Sequence, residues 1–270
     1  IGLLRPDASE PKGAGLLDKC LTTLDDYWAL DLGPGEQLIQ SHVPTSIAKL
    51  YENVDLDANA ALAARLEGYK GVWLDELRGK SKKTNLNIVQ SAIVALGRTT
   101  QPNDGKNDTP KLDYQVSQAL LDHYKKGRDK QSQYFSLMAL GQIRGEENRE
   151  KLMVALREGS KALEKPWAAI SLGVLTHKDY EDMGTGATVD EGVGEALFRE
   201  LKDLKNPGSL SAISVALGLV RYTDSSDALR DLLEEKKNQD DLAGYICIGL
   251  ALMNDQSSLD EIRNLVETSV

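Results

Sequence analysis

Five short runs of this chain end in the same way. SAIVALG closes at Gly97, FSLMALG at Gly141, WAAISLG at Gly173, AISVALG at Gly218 and AGYICIG at Gly249. The spacings between these glycines are 44, 32, 45 and 31 residues, and each longer spacing exceeds a shorter one by 13. A basic unit of about 31 residues therefore recurs, with an insertion of about 13 in alternate copies. A chain built this way stacks similar units side by side, because one unit cannot bury its own apolar face.

Each unit resolves into two helices. The first is the run ending in glycine, dense in apolar residues (Ile93, Val94, Leu96; Leu137, Met138, Leu140; Ile213, Val215, Leu217), as suits a helix buried on most sides. Ala95, Ala139, Ala169 and Ala216 let neighbouring helices approach closely. The glycine falls within or just past the last turn, where it serves either a left-handed cap or a tight contact between helices. The second helix is amphipathic and covers 146–158, 191–205, 226–237 and 258–267, with 111–126 as the first full copy. Leu152 and Leu156; Leu197, Leu201 and Leu204; Leu229, Leu232 and Leu233; Leu259, Ile262 and Leu265 fall at helical spacing, as do Leu112, Val116, Ala119, Leu120 and Tyr124.

The pattern A-x-x-A-L-G, a short acidic turn and an L-x-x-L-L helix resembles bacterial HEAT-type repeats, of the kind also seen in phycobilin-lyase-like proteins. The resemblance covers about residues 85–267. It implies an all-α, armadillo-like fold: a right-handed α-solenoid of about five to six antiparallel helix pairs. The expected organisation is a helical capping segment over 1–57, then repeats near 58–84, 85–129, 130–164, 165–207, 208–238 and 239–270. Within the capping segment, 15–30 has helical amphipathicity, 33–37 is a turn, and Thr45 is a candidate helix cap. Residues 60–68 and 71–80 are expected to form a degenerate first pair.

Charge is unevenly placed. The formal net charge is −10. Acids gather at the expected turns inside repeats: Asp104, Asp108 and Asp113; Glu146, Glu147 and Glu150; Asp179, Glu181, Asp182, Asp190 and Glu191; Asp224 and Asp227. Bases gather between repeats, at Arg78, Lys80, Lys82 and Lys83, then Lys125, Lys126, Arg128 and Lys130. The helix dipole explains such a bias on its own, since acids favour helix starts and bases favour helix ends. The functional reading is that an acidic edge meets a basic partner. Both insertions, expected as long loops over 99–110 and 176–194, fall on that edge.

Motifs for chemistry are weak. Asp104, Asn107 and Asp108 offer oxygens but lack the order of a calcium-binding loop. Gly184–Gly186 and Gly192–Gly194 have no lysine or preceding strand of a phosphate-binding loop. His42, His123 and His177 form no metal-ligand spacing, and none is followed by Glu, so the iron-binding His-Glu pairs of some HEAT-repeat enzymes are not repeated here. Cys20 and Cys247 stand alone, in keeping with buried thiols. No G-x-S-x-G elbow is present. A negative net charge argues against a nucleic-acid groove, whose phosphates need a basic face. Of the tryptophans, Trp167 suits the core or a helix start, whereas Trp28 with Tyr27 suits an exposed contact.

The sequence expectation is a non-enzymatic interaction scaffold without cofactor or metal, binding a basic protein or peptide. Its binding surface would be the amphipathic helices together with Asp104, Asp108, Asp179, Glu181, Asp182, Asp190, Glu191, Tyr27 and Trp28. The alternatives are a lyase-like factor attaching a chromophore, implied by the resemblance alone, and one segment of a larger envelope scaffold. No 18-residue apolar run is present. The chain starts at Ile1, so both a cytoplasmic and an exported location after loss of an upstream signal stay open.

Overall fold

Apolar residues at three- and four-residue spacing, closed by polar caps, turn this chain into helices. A computed structural model describes residues 1, 3–81, 83, 85–107, 109–160 and 163–268, with the backbone alone at 185 and 268. The helices are α1 (Pro11–Ala29), α2 (Gln37–Gln40), α3 (His42–Leu50), α4 (Ala60–Leu77), α5 (Leu86–Thr99), α6 (Lys111–Lys126) and α7 (Lys130–Ile143). They continue with α8 (Glu146–Glu158), α9 (Glu164–Met183), α10 (Glu191–Asp203), α11 (Pro207–Val220), α12 (Ser226–Lys236), α13 (Asp240–Leu252) and α14 (Leu259–Thr268). Among the described residues there is no strand. The all-α reading holds, and α6 and α8 match their sequence boundaries.

The starts of many helices are written in the sequence. The side chains of Asn59, Asn85, Asp129, Asp190 and Asn206 accept the N–H groups of Leu62, Asn87, Ser132, Val193 and Ser209. Each such cap stabilises its helix by about 1 kcal/mol. Thr45 is no cap. It sits inside the first turn of α3, where its hydroxyl donates to the His42 carbonyl at 3.2 Å.

The chain divides into two compact units, Ile1–Glu146 and Glu147–Val270. In the first, α3, α5 and α7 lie side by side, and α4 and α6 pack on them and on each other. In the second, α9, α11 and α13 lie side by side, with α10 on α11 and α12 on α13. The glycine-ended helices thus form one layer in each unit, and the amphipathic helices cover it. Ile93, Leu96, Ile213, Leu217, Ile246 and Leu250 are wholly or almost wholly buried in these layers.

The repeated glycines are there for close approach. A Cβ on Gly97 would lie 2.8 Å from Ala139 Cα, and one on Gly173 would lie 3.0 Å from Ala216 Cα. A Cβ on Gly218 would lie 2.6 Å from the Gly249 carbonyl oxygen, and one on Gly249 would lie 2.4 Å from that of Ser214. The left-handed turn comes later, at Arg144 (φ 71°), Arg221 (φ 61°) and Asn254 (φ 58°). Of the two roles open to these glycines in the sequence, tight contact is the one observed.

Three further local expectations fail. Residues 60–77 form one continuous helix, α4, so the degenerate pair is not there; Gly68 and Gly71 sit within it, and the Leu66, Trp73, Leu74 and Leu77 stripe holds it together. Residues 176–183 are not a loop but the last two turns of α9, which has 20 residues against 14 in α5, α7 and α11. The two insertions are therefore unlike, one lengthening a loop and one lengthening a helix. At α14, Leu259 is 48% exposed, so it does not share the burial of Leu229 and Leu233.

Candidate functional site

A buried ion pair falls on a residue that the sequence grouped with the acids of a turn inside a repeat. On α6 the buried stripe is Asp113, Val116, Ser117, Leu120 and Tyr124, rather than one led by Leu112 and Ala119. Asp113 is 1% exposed and Lys70 on α4 is 2% exposed. Lys70 Nζ donates to Asp113 Oδ1 at 2.7 Å and also pairs with Glu67. Burial pushes the Asp113 carboxyl above its ordinary range, while Lys70 and the Gln101 N–H act in the opposite direction. A stripe hiding an acid and a helix hiding a lysine signal each other only once α4 and α6 are known to touch.

The loop over 99–110 folds back on its own unit. Asn103 is fully buried, its N–H donates to the Arg144 carbonyl at 3.1 Å, and Thr109 Oγ1 accepts from the Asp104 N–H at 3.0 Å. Gly145 adopts φ 89°, and a Cβ there would strike the Asn103 backbone at 2.4 Å, so glycine is needed on both counts. Asp104 Oδ1 accepts the N–H of Glu146, the first residue of α8. Its carboxylate is thus a helix-start ligand, as the dipole explanation expects. Asp108 lies outside the described residues.

The second set of acids splits. Asp179, Glu181 and Asp182 ride on the extended end of α9, and Glu181 lies 3.4 Å from His177 Nε2. Asp190 caps α10 and takes two bonds from Arg149 on α8, at 2.6 and 2.8 Å. Burial works against its charge, but Arg149 and the Val193 N–H outweigh it and hold the carboxyl below its ordinary range. Glu191 is exposed beside it. Two glycines of the glycine pairs have local structural roles: Gly184 turns the chain at φ 60°, and Gly194 leaves room for the Tyr222 ring, which a Cβ would meet at 2.2 Å. Asp104 belongs to the first unit and the 179–191 acids to the second.

Tyr27 and Trp28 are half-buried rather than exposed. Gln40, fully buried, donates to the carbonyls of Tyr27, Trp28 and Leu30 and so closes α1. Lys83 donates to the Trp28 carbonyl at 3.0 Å and to Gln40 Oε1 at 2.9 Å, and its ammonium stands 4.6 Å above the Trp28 ring. Burial lowers its pKa. Lys83, in the connection between α4 and α5, thus ties the end of α1 to the end of α2. Lys82 lies outside the described residues. Trp73 is core, 2% exposed and stacked on Tyr69 with ring centroids 5.8 Å apart.

A serine and a histidine do meet. His123 Nε2 lies 3.0 Å from Ser132 Oγ. The Ser132 hydroxyl is engaged inside the fold. Ser132 is wholly buried, its hydroxyl donates to the Asp129 carbonyl, and the Asp129 carboxylate is taken up by the Ser132 N–H and the Gln90 amide. With its hydroxyl bonded to the Asp129 carbonyl, Ser132 Oγ accepts from the imidazole in the tautomer that carries the proton on Nε2. Among the described residues no three His, Cys, Asp or Glu side chains cluster to hold a metal ion, and no helix is long and apolar enough to cross a membrane.

A groove opens on the second unit, on the glycine-ended helices and not on the amphipathic ones. Its volume is about 520 Å3. Ile170 on α9 forms one wall, Asp241, Leu242 and Tyr245 on α13 form the other, and Gly208, Ser211, Ala212 and Val215 on α11 form the floor. The floor is low because small residues recur there at three- and four-residue spacing. Tyr245 is 48% exposed, as is Ile248 one turn beyond it at 47%. The sequence signal was available: α11 and α13 are apolar nearly all round, and a helix of that kind standing at a surface leaves an apolar face in water. Compared with known proteins, the chain matches no family model and no curated protein.

Proposed function

We propose that this chain is a non-enzymatic interaction module: a right-handed α-solenoid of HEAT type, with about five to six helix pairs, that binds a segment of another protein in the groove of α9, α11 and α13. The observation that carries this reading is the groove itself. A largely apolar floor of small residues between Ile170 and Tyr245 is only half-buried where full burial would otherwise be expected. Its size suits a few apolar side chains of a partner segment, and stacked helices are well suited to offering such surfaces. The acids assigned to a binding edge contribute less to this reading. Asp104 and Asp190 are engaged with Glu146 and Arg149.

The test is a selection of peptides from a random display library, repeated on an Ala212→Trp variant that fills the groove. Folding of the variant is checked by circular dichroism. Peptides that bind the native chain and lose binding on the filled one support the proposal. Peptides that bind both equally refute it, and a chromophore retained on co-expression would favour the lyase-like alternative.

A further inference from the structure

We infer that the groove selects a segment with a cationic side chain, arginine or lysine, beside its apolar anchor; this rests on the groove being the binding site. The floor of Ala212 and Val215 and the wall of Ile170 carry no charge, and Asp241 is the ionised group in the lining. Asp241 and Tyr245 are four residues apart on α13, so they stand on one helix face about 5–6 Å apart at Cβ. A carboxylate and a half-exposed aromatic ring one turn apart form a notch that suits a cation on both counts. The carboxylate offers a charged acceptor and the ring offers its negative face.

Asp241 is also uncommitted. It is exposed, and neither it nor its exposed neighbour Asp240 has a cationic partner among the described residues. Elsewhere the acids near the layer are taken: Glu200 by Lys165 at 2.8 Å, and Asp255 by Arg230 at 2.8 Å. The helix dipole accounts for acids in the first turn of α13, but not for an aromatic ring one turn along in the same groove wall. The chain's net charge of −10 favours approach of a cationic segment in the same sense.

The probes are three blocked nonapeptides of leucine, alanine and serine. They are identical except at the central position, which is arginine, glutamine or glutamate. Their binding is followed by amide shifts in an NMR titration of the full chain and of the Asp241→Lys and Tyr245→Leu variants. The arginine peptide is expected to bind about tenfold tighter than the glutamine peptide and to perturb α13 near Asp241 and Tyr245, since a surface ion pair and a cation–π contact each contribute a few-fold. Asp241→Lys is expected to reverse the order in favour of glutamate. Equal affinities for all three peptides, with shifts in the groove, would overturn the cation preference and leave the groove standing. So would an order unchanged by Asp241→Lys. Failure of every peptide to bind at millimolar concentration would overturn both.

Discussion

Removing one member of the Lys70–Asp113 pair should be far worse than removing both. The two groups are 2.7 Å apart and almost wholly buried, between α4 and α6. Leaving one buried charge without its partner costs about 3–5 kcal/mol, whereas replacing both by apolar groups ranges from neutral to stabilising by about 1–4 kcal/mol. Glu67, half exposed, still reaches Lys70 when Asp113 is lost, so Asp113→Leu belongs at the lower end of that cost. Lys70→Met leaves Asp113 with only the Gln101 N–H and belongs at the upper end. The double variant should return to native stability or exceed it. The pH dependence separates the two singles. Burial already raises the Asp113 pKa, and loss of Lys70 raises it further above an unfolded value near 3.9. Stability from a raised carboxyl is present below the unfolded pKa and is lost as pH rises through the folded one. The Lys70→Met deficit should therefore grow between pH 4 and pH 7, while that of Asp113→Leu should shrink over the same range, because the native chain carries the raised carboxyl and the variant does not. Urea unfolding followed by tryptophan fluorescence in a Trp167→Phe background reads the first unit alone through Trp28 and Trp73. Two single variants costing less than about 1 kcal/mol each, or a double variant as unstable as their sum, would refute the buried pairing.

Other outcomes follow from the same geometry. Gly249→Ala should destabilise the second unit by about 1–3 kcal/mol because its Cβ meets the Ser214 carbonyl oxygen at 2.4 Å, whereas Gly186→Ala, with open space around it, should be near neutral; thermal melts of the two decide it. Asp190→Ala removes a helix cap and the Arg149 pair and should cost about 1–3 kcal/mol at pH 7 by urea titration. Because the Asp190 pKa is lowered, its contribution is present above the unfolded value near 3.9 and fades as pH falls through the folded one, so native and variant curves should converge in acid. Asn254→Gly, at φ 58°, should leave stability unchanged or raise it by up to about 1 kcal/mol in the same melts.

Much of the architecture was legible because it depends on short-range pattern. Glycine-ended apolar runs and L-x-x-L stripes mark helices, and α6 and α8 begin and end where those stripes do. What was not legible depends on contacts between elements. The lengthened end of α9 carries Tyr180, Glu181 and Asp182 in a stretch with the composition of a loop, yet it continues an established helix. Asp113 reads as a turn acid until Lys70 is placed against it. Tyr27 and Trp28 read as exposed until Gln40 and Lys83 close over them. The groove was missed for a related reason: density of apolar residues in α11 and α13 implies burial on all sides, and only the packing shows which face has no neighbour.

The central claim is that binding occurs on the layer of α9, α11 and α13. Hydrogen exchange of the full chain, with and without a peptide recovered from the display selection, tests it most directly. Slowed exchange centred on Ile170, Val215 and Tyr245 is the predicted result, and protection confined to α10 and α12 would contradict it.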